Sequence, residues 1–182
     1  MIQSKNRVQK IVLTALFAAL TAVCSQIAIP TPWGVPFHLA LFSIFVTGAV
    51  LGPVWGCASQ LIYTALACVG VPVLAGFNGG AAALVGKTGG YVIGYIPMVI
   101  IAGYFAVRFK HNKWWMMLGM LLGTVVCYLF GSIWFIALTK VDVVTCVTLC
   151  VLPYLVPDVI KMLLAALLVE KLDRVYKIDE KI

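Results

Sequence analysis

From Ile11 to Val107 the sequence contains a single charged side chain, that of Lys87. A run this long and this apolar has too few polar groups to form the surface of a water-soluble domain. The whole chain agrees, because 63% of its 182 residues are hydrophobic and 10% are charged, whereas soluble domains are about half apolar and about a quarter charged. The sequence therefore predicts an integral membrane protein.

The number of spans follows from the lengths of the apolar segments. A spanning helix needs about 20 residues, so the chain has room for about six spans. As one helix, residues 37–71 would be about 52 Å long, well beyond the roughly 30 Å core of a bilayer. Gly52-Pro53 lies near their middle, where we place a tight turn between two short helices. The predicted fold is an all-α bundle of six transmembrane helices, formed by residues 11–29, the two halves of 37–71, 88–107, 114–138 and 143–169, the last interrupted by Pro153 and Pro157.

The distribution of Lys and Arg predicts the orientation in the membrane. On one side of the membrane there are three basic residues in the tail at 1–10, none in the 52–53 turn, three in the 108–113 loop and four in the tail at 170–182. The other side has two, Lys87 and Lys140. Cytoplasmic loops are enriched in Lys and Arg, so we expect both termini in the cytoplasm of a multi-pass plasma-membrane protein. The net charge of +7 then reports topology rather than a nucleic-acid partner. We expect one transmembrane domain over residues 1–182.

Residues 71–91 are rich in glycine and alanine and contain Lys87, which is followed by Thr88. A phosphate-binding P-loop has the form Gly-x-x-x-x-Gly-Lys-Ser/Thr, but the position of its first glycine is occupied by Ala81. We therefore do not expect nucleotide binding here, and any energy for transport would have to come from a partner or from an ion gradient. This stretch is predicted to lie on the outer side, either as a loop or as a segment that dips back into the bundle.

A second candidate site lies in the last span, at Asp158 and Lys161. A charged residue near the bilayer centre costs roughly 2.5 to 3.5 kcal/mol, so such residues pair or face a polar cavity. Residues i and i+3 share a helix face, which is compatible with an internal ion pair or with a ligand site that also uses Lys87. With Asn78, the glycines and several aromatic residues, these groups suit a small ligand that is anionic at one end and carries hydrogen-bond donors on a compact ring.

Catalytic and metal-binding patterns are not evident in the sequence. There is no Ser-His-Asp set, metal cluster or pair of acids, so we do not expect an enzyme. The six cysteines stand singly in apolar runs and are interpreted as small buried hydrophobic residues. A different pattern marks the first span, where small residues recur at Ala15, Ala18, Ala19 and Ala22. Such a face lets another helix approach closely, either within the bundle or on a separate membrane protein.

Three motifs give the chain a family resemblance. They are Gly-Phe-Asn-Gly-Gly at 76–80, Gly-Lys-Thr-Gly-Gly-Tyr-x-x-Gly-Tyr at 86–95 and Pro-Asp-x-x-Lys at 157–161, preceded by Ile-Pro-x-Pro-x-Gly-Val-Pro-Phe at 29–37. Together they resemble the BioY family, the biotin-specific substrate-binding subunits (S components) of energy-coupling factor (ECF) transporters. Many members have proline where this chain has Lys87, so the resemblance supports Asp158 more than Lys87.

The resemblance implies a six-helix S component that binds biotin from the outer side and needs no cofactor of its own. Its partners would be the ECF transmembrane coupling protein, which would dock on the alanine face of the first helix, and two ABC ATPases. Asp158 would accept the ureido N–H groups of biotin, Lys87 or Lys161 would bind its carboxylate, and aromatic side chains would contact its thiophane ring. The implied substrate-binding residues are Asp158, Lys161, Lys87, Asn78, Tyr91, Phe37, Trp33, Gly79, Gly80, Thr88, Gly89 and Gly90.

Three alternative functions remain open from the sequence. The chain would be an S component for another vitamin if the ligand differs. It would be a stand-alone secondary transporter if Asp158 serves as a proton or cation site. A membrane scaffold without a ligand is the third possibility.

Overall fold

The computed structural model describes residues 2–176 and is mostly helical. Five of its helices are long and apolar enough to cross a membrane among the residues described, so the prediction of a helical membrane protein is confirmed. Met1 and residues 177–182, which belong to the predicted tails, lie outside the described residues. In chain order the elements are α1 (Ile2–Gln26), β1 (Ala28–Ile29), β2 (Phe37–His38), α2 (Ala40–Cys68), α3 (Ala81–Val85), α4 (Gly89–Arg108), α5 (Lys113–Thr139), α6 (Val143–Cys150) and α7 (Leu152–Tyr176).

The predicted break at Gly52-Pro53 is confirmed inside α2. Gly52 has φ 72° and ψ −177°, which is outside the helical region and favours glycine. A β-carbon placed on Gly56 would lie 3.4 Å from the α-carbon of Gly48, although eight residues of continuous helix span about 12 Å. The chain therefore reverses at Gly52, and α2 consists of two helical segments that lie side by side.

Glycines allow α4 to pack tightly against this reversal. A β-carbon on Gly103 would lie 2.7 Å from the carbonyl carbon of Gly52 and 2.8 Å from the carbonyl oxygen of Gly48. Distances this short exclude any side chain at position 103. Close approach of backbones through small residues is a common source of helix association in membranes, where van der Waals packing replaces the hydrophobic effect.

The last predicted span differs from the expectation, because it is two helices rather than one. α6 ends at Cys150 and α7 begins at Leu152, so the break falls at Val151, just ahead of Pro153. Proline has no N–H and clashes with the carbonyl four residues earlier, but it is tolerated in the first helical turn. Pro153 thus ends the preceding helix and occupies the first turn of the next, while Pro157 remains inside α7.

The connections between helices also contain structure that the sequence did not predict. Residues 28–38 form a short antiparallel hairpin in which Ala28 pairs with His38 and Ile29 with Phe37. The glycine-rich stretch contains the short helix α3 and an isolated bridge between Leu74 and Asn78. The fold is therefore mostly rather than entirely α-helical.

Hydrogen bonds show which connections lie at the same end of the bundle. The Gln26 amide at the end of α1 donates to Leu74 O at 3.0 Å and accepts from Phe77 N at 2.9 Å, which ties the glycine-rich stretch beside the hairpin. At the opposite end, His111 Nε2 donates to Ala49 O at 2.8 Å, close to the reversal in α2. The α4–α5 loop and the reversal are therefore neighbours, remote from the hairpin.

Candidate ligand-binding site

A narrow cavity lies beneath the hairpin, between the beginnings of α2, α4 and α7 and the middle of α5. Its volume is about 30 Å³. Its wall is mostly apolar and aromatic with a few polar groups, as expected of a site that orients a ligand by a few directed contacts. The lining residues are Val35, His38, Leu41, Tyr91, Tyr95, Cys127, Tyr128, Cys150, Tyr154, Asp158 and Lys161.

Asp158 and Lys161 form a buried ion pair in this wall. The ammonium nitrogen of Lys161 lies 2.8 Å from Asp158 Oδ1, and the two residues are 8% and 2% exposed. The Tyr128 hydroxyl donates to the other carboxylate oxygen. A buried pair of this kind is tolerated when each charge has further hydrogen-bond partners, and Lys161 still has N–H groups that can donate into the cavity.

The hairpin covers the cavity through contacts to Tyr154 of α7. The rings of Phe37 and Tyr154 are stacked with their centroids 4.2 Å apart. Trp33 Nε1 donates to the Tyr154 hydroxyl at 3.1 Å, and that hydroxyl donates to Val35 O. The structure therefore brings the predicted aromatic residues Trp33 and Phe37 to one side of the cavity, with Tyr91 in its wall.

A second cavity of about 230 Å³ lies on the other face of the hairpin loop. Gly34 and Pro36 line it, whereas Val35 between them lines the inner cavity. Its wall contains two of the predicted residues, Asn78 and Thr88, and is completed by Leu74, Ala75, Ala83 and Val92. The hairpin loop therefore separates an outer cavity beside the glycine-rich stretch from the inner one at Asp158.

Lys87 lies near the outer cavity and not in the inner one. Its side chain is exposed, and its Cδ would be 3.8 Å from a β-carbon on Gly34. The structure thus places the two predicted lysines differently, with Lys161 buried against a carboxylate and Lys87 exposed at the hairpin loop.

Close packing explains three of the four predicted glycines, and backbone conformation explains Gly80. A β-carbon would lie 2.4 Å from Val71 O at Gly79, 1.6 Å from Leu84 O at Gly89 and 2.2 Å from the Trp134 side chain at Gly90. Gly80 has φ 92°, and its N–H donates to Ala67 O at 2.7 Å. Among the described residues that line either cavity, none is one of these four glycines.

His38 and Tyr95 were not among the site residues predicted from the sequence. His38 Nε2 lies 3.1 Å from the Tyr95 hydroxyl, and its Nδ1 is buried without a hydrogen-bond partner among the described residues. Burial and the positive charge of Lys161 lower the pKa of His38 to about 4. A signal was available, because His38 is the only histidine in the long apolar run. The cavity tyrosines Tyr128 and Tyr154 have no comparable feature in the sequence that would mark them as site residues.

The alanines of α1 divide between the core and the surface. Ala18 is 1% exposed and belongs to the core, so it cannot contact a partner in this conformation. Ala15 and Ala19 are exposed and Ala22 is partly so. A docking face on α1 is thus restricted to Ala15, Ala19 and Ala22, with Ala18 packed against the bundle.

Comparisons with known proteins give a consistent result. The BioY family model matches residues 1–178. A Pyrococcus horikoshii protein called a probable biotin transporter BioY is 38% identical over 169 residues, covering 91% of this chain and 97% of the relative. The biotin transporter BioY of Thermotoga maritima is 31% identical over 166 residues, covering 91% and 96%. The crystal structure at 2.1 Å of the S-component for biotin from an ECF-type ABC transporter matches with a TM-score of 0.86 and 29% identity, covering 93% of each chain.

Proposed function

The chain belongs to the BioY family, and from this premise we propose that it is the high-affinity biotin-binding S component of an ATP-driven ECF importer. The observation that carries the proposal is the buried Asp158–Lys161 pair in the wall of the inner cavity. An ion pair that served packing alone would not need a cavity beside it. The biotin-transporter names of its relatives give the ligand class.

In the proposed complex the ureido ring occupies the inner cavity. The ureido group has two N–H donors, and Asp158 is the carboxylate that can accept them as charge-assisted hydrogen bonds. Phe37 and Tyr91 supply apolar surface for the thiophane ring. Analogues without the ureido N–H groups would leave a buried carboxylate short of partners, which is a strong source of discrimination.

The carboxylate of biotin is proposed to bind Lys87. Lys161 is already paired with Asp158. Because the two opposite charges nearly cancel, this pair attracts an anion only weakly. Lys87 has no ion pair among the described residues and lies at the hairpin loop beside the outer cavity. The ligand would thus extend from Asp158 outward, with its valerate chain passing the hairpin loop.

Calorimetric titration of the detergent-purified protein with biotin and with biotin amide tests both ends of this arrangement. Biotin is expected to bind tightly and the amide at least tenfold more weakly, because the amide lacks the charge that Lys87 recognises. The Lys87→Met variant should bind the two ligands with similar affinity. If neither ligand binds the wild-type protein, biotin is not its ligand, and a thermal-shift screen of other vitamins becomes the next experiment.

We further propose six membrane crossings with both termini in the cytoplasm. The reversal at Gly52 adds one crossing to the five long helices. It lies at the same end of the bundle as the α4–α5 connection, where Arg108 ends α4, Lys110 follows it and Lys113 begins α5. This is the cytoplasmic end by the positive-inside rule, so the hairpin and both cavities face outward.

The importer needs partners that hydrolyse ATP, since the sequence lacks a P-loop. We propose the ECF coupling protein and two ABC ATPases in this role. The exposed face of α1 at Ala15 and Ala19 supports docking on the coupling protein, because small side chains there allow a second helix to approach closely.

A further inference from the structure

The connection between α4 and α5 concentrates positive charge without a compensating acid. Arg108 ends α4, Lys110 follows it and Lys113 begins α5. The first two are exposed and the third is partly buried. Among the side chains that the structure describes, none of these three has an ion-pair partner, whereas Lys161 and Arg174 are each paired with a carboxylate. The three cations are therefore available to an anion from outside the chain.

Two left-handed residues fix the backbone of this connection. Lys110 has φ 48° and His111 has φ 53°, a region that few non-glycine residues adopt. The buried His111 side chain bonds to Ala49 O at 2.8 Å, and its Nδ1 lies 4.0 Å from Asp173 Oδ1. The carboxylate of Asp173 thus approaches the buried side of the connection, away from the exposed cations.

Aromatic rings hold two of the cations in place. The rings of Phe109 and Trp115 are stacked with their centroids 4.1 Å and their planes 9° apart, which joins the end of α4 to the first turn of α5. The guanidinium carbon of Arg108 lies 5.9 Å from the Phe109 centroid, and Lys113 Nζ lies 5.9 Å from the centroid of the Trp114 ring. A cation within about 6 Å of an aromatic ring is attracted to its face. Side chains that are already ordered lose less entropy when an anion binds.

The surface next to these cations is one that faces lipid. Tyr104 and Val107 near the end of α4, and Leu118 near the start of α5, are large hydrophobic side chains that are exposed. Trp114 is 74% exposed, and tryptophan is enriched at the level of the lipid headgroups. Both helices are long and apolar enough to cross a membrane, so the end they share lies at the membrane surface. The cations at that end therefore lie at the level of the lipid phosphates.

We propose that the α4–α5 connection binds the headgroup of an anionic phospholipid, with Arg108 and Lys110 contacting its phosphodiester. A guanidinium can donate two parallel hydrogen bonds to a phosphate, and Lys110 adds a second, more mobile charge. A zwitterionic headgroup carries a cation of its own, which the basic residues repel, so an anionic lipid such as phosphatidylglycerol is preferred. This inference goes beyond the proposed function and does not depend on the transported ligand. In the proposed orientation the lipid belongs to the cytoplasmic leaflet.

The test compares two lipids that differ in headgroup charge. Delipidated protein in detergent is titrated with phosphatidylglycerol or with phosphatidylcholine of the same acyl chains, and the melting temperature is followed. A ligand of the native state raises this temperature, so the two titrations give apparent affinities. Phosphatidylglycerol is expected to bind at least twentyfold more tightly, the factor for about 1 kcal/mol from each of two basic residues at a membrane surface. Added salt should reduce the preference.

Three variants locate the effect. Arg108→Gln and Lys110→Gln should each lower the preference for phosphatidylglycerol about fivefold, because each removes one of the two charges. The control is Lys140→Gln, which removes an exposed cation at the other end of α5 and should retain the full preference. Since Lys110 is an exposed loop residue, its variant decides the question if Arg108→Gln does not fold.

A third titration, with glycerol phosphate, distinguishes a lipid from a soluble phosphate. Glycerol phosphate should leave the melting temperature unchanged, and stabilisation equal to that by phosphatidylglycerol would overturn the assignment to a lipid. Equal affinities for the two lipids, or equal losses in Arg108→Gln and Lys140→Gln, would also overturn it. Biotin should bind Arg108→Gln as it binds the wild type. Wild-type protein that prefers phosphatidylglycerol but does not bind biotin would refute the proposed function and support the lipid site.

Discussion

The carboxylate of Asp158 accepts hydrogen bonds from Tyr128 and Lys161, and the residue is only 2% exposed. Removing its charge affects the ligand and the protein alike. In the proposed complex the ureido N–H groups would lose a charged acceptor, and in the protein the buried ammonium of Lys161 would lose its counter-ion. Asp158 is therefore the residue at which a change of a single atom has the largest expected effect on binding.

We expect Asp158→Asn to weaken biotin binding by a factor of ten or more, at about 1.4 kcal/mol per decade. Calorimetry on the purified variant measures this. Asp142→Asn makes the same chemical change at an exposed aspartate whose side chain caps α6, and it should leave the affinity unchanged. Equal affinities of Asp158→Asn and the wild type would remove Asp158 from the site.

The lowered pKa of His38 predicts a pH dependence of stability. In the unfolded chain histidine titrates near pH 6.5, whereas in the folded protein its pKa is about 4, because burial and Lys161 oppose the charge. The unfolded state therefore binds more protons between these values, and stability falls as the pH drops from 6.5 toward 4. The melting temperature of the wild type should decline more steeply over this range than that of His38→Phe. Parallel curves would contradict the prediction.

At the residue scale, the sequence identified candidate site residues where an isolated charge was conspicuous. Asp158 and Lys161 stand out because an apolar span rarely carries charged residues without a function. His38 is also conspicuous as the only histidine of the apolar run, but its contacts could not be predicted, because they depend on a two-residue strand pairing and on a tyrosine far along the chain. Such long-range placement is not encoded in local spacing.

At the scale of elements, the contact between α4 and the reversal of α2 is the most tightly constrained. Gly103→Ala would place a methyl group within 2.8 Å of backbone atoms of Gly48, Gly52 and Pro53, and backbone atoms cannot rotate away. We expect a loss of about 1 to 3 kcal/mol in stability, measured as a lower melting temperature in detergent. Tyr104→Ala, at the exposed neighbouring position, should cost less. A larger loss in Tyr104→Ala would refute this account.

The exposed face of α1 gives a prediction about assembly. Ala19→Trp adds an indole to the small-residue face and should reduce co-purification with the coupling protein by tenfold or more, with biotin binding unchanged. Leu20→Trp adds an indole at the next residue, about 100° around the helix, and should retain the complex. If Ala19→Trp still assembles fully with the coupling protein, the docking face lies elsewhere on the molecule.

The two interrupted helices show what the sequence can predict about elements. Gly52-Pro53 combines a residue that tolerates positive φ with one that cannot continue a hydrogen-bonded turn, and the break was placed correctly. Pro153 was expected to interrupt the last span, but the break lies at Val151. Proline restricts the backbone of the residues that precede it, so the helix breaks before Pro153 rather than at it. The hairpin of residues 28–38 was missed, since two-residue strands have no periodicity.

At the scale of the whole molecule, both cavities lie at the end that carries the hairpin and the glycine-rich stretch. The basic α4–α5 loop lies at the opposite end, beside the reversal of α2. In the proposed orientation, the charge asymmetry that places both termini in the cytoplasm would also make both cavities face outward. The sequence predicted the orientation from Lys and Arg alone, but it could not show that the hairpin loop separates an inner from an outer cavity.

The proposed orientation can be tested with a cysteine already present in the chain. Among the six free cysteines Cys68 is the exposed one, and it lies at the end of α2 near the glycine-rich stretch. A membrane-impermeant maleimide added to intact cells should therefore label the wild-type protein, and Cys68→Ser should remove most of the labelling. Cys57, which is partly buried in the same segment of α2, lies closer to the cytoplasmic reversal and should need permeabilised cells. Labelling of Cys68 only after permeabilisation would invert the topology and place both cavities on the cytoplasmic side.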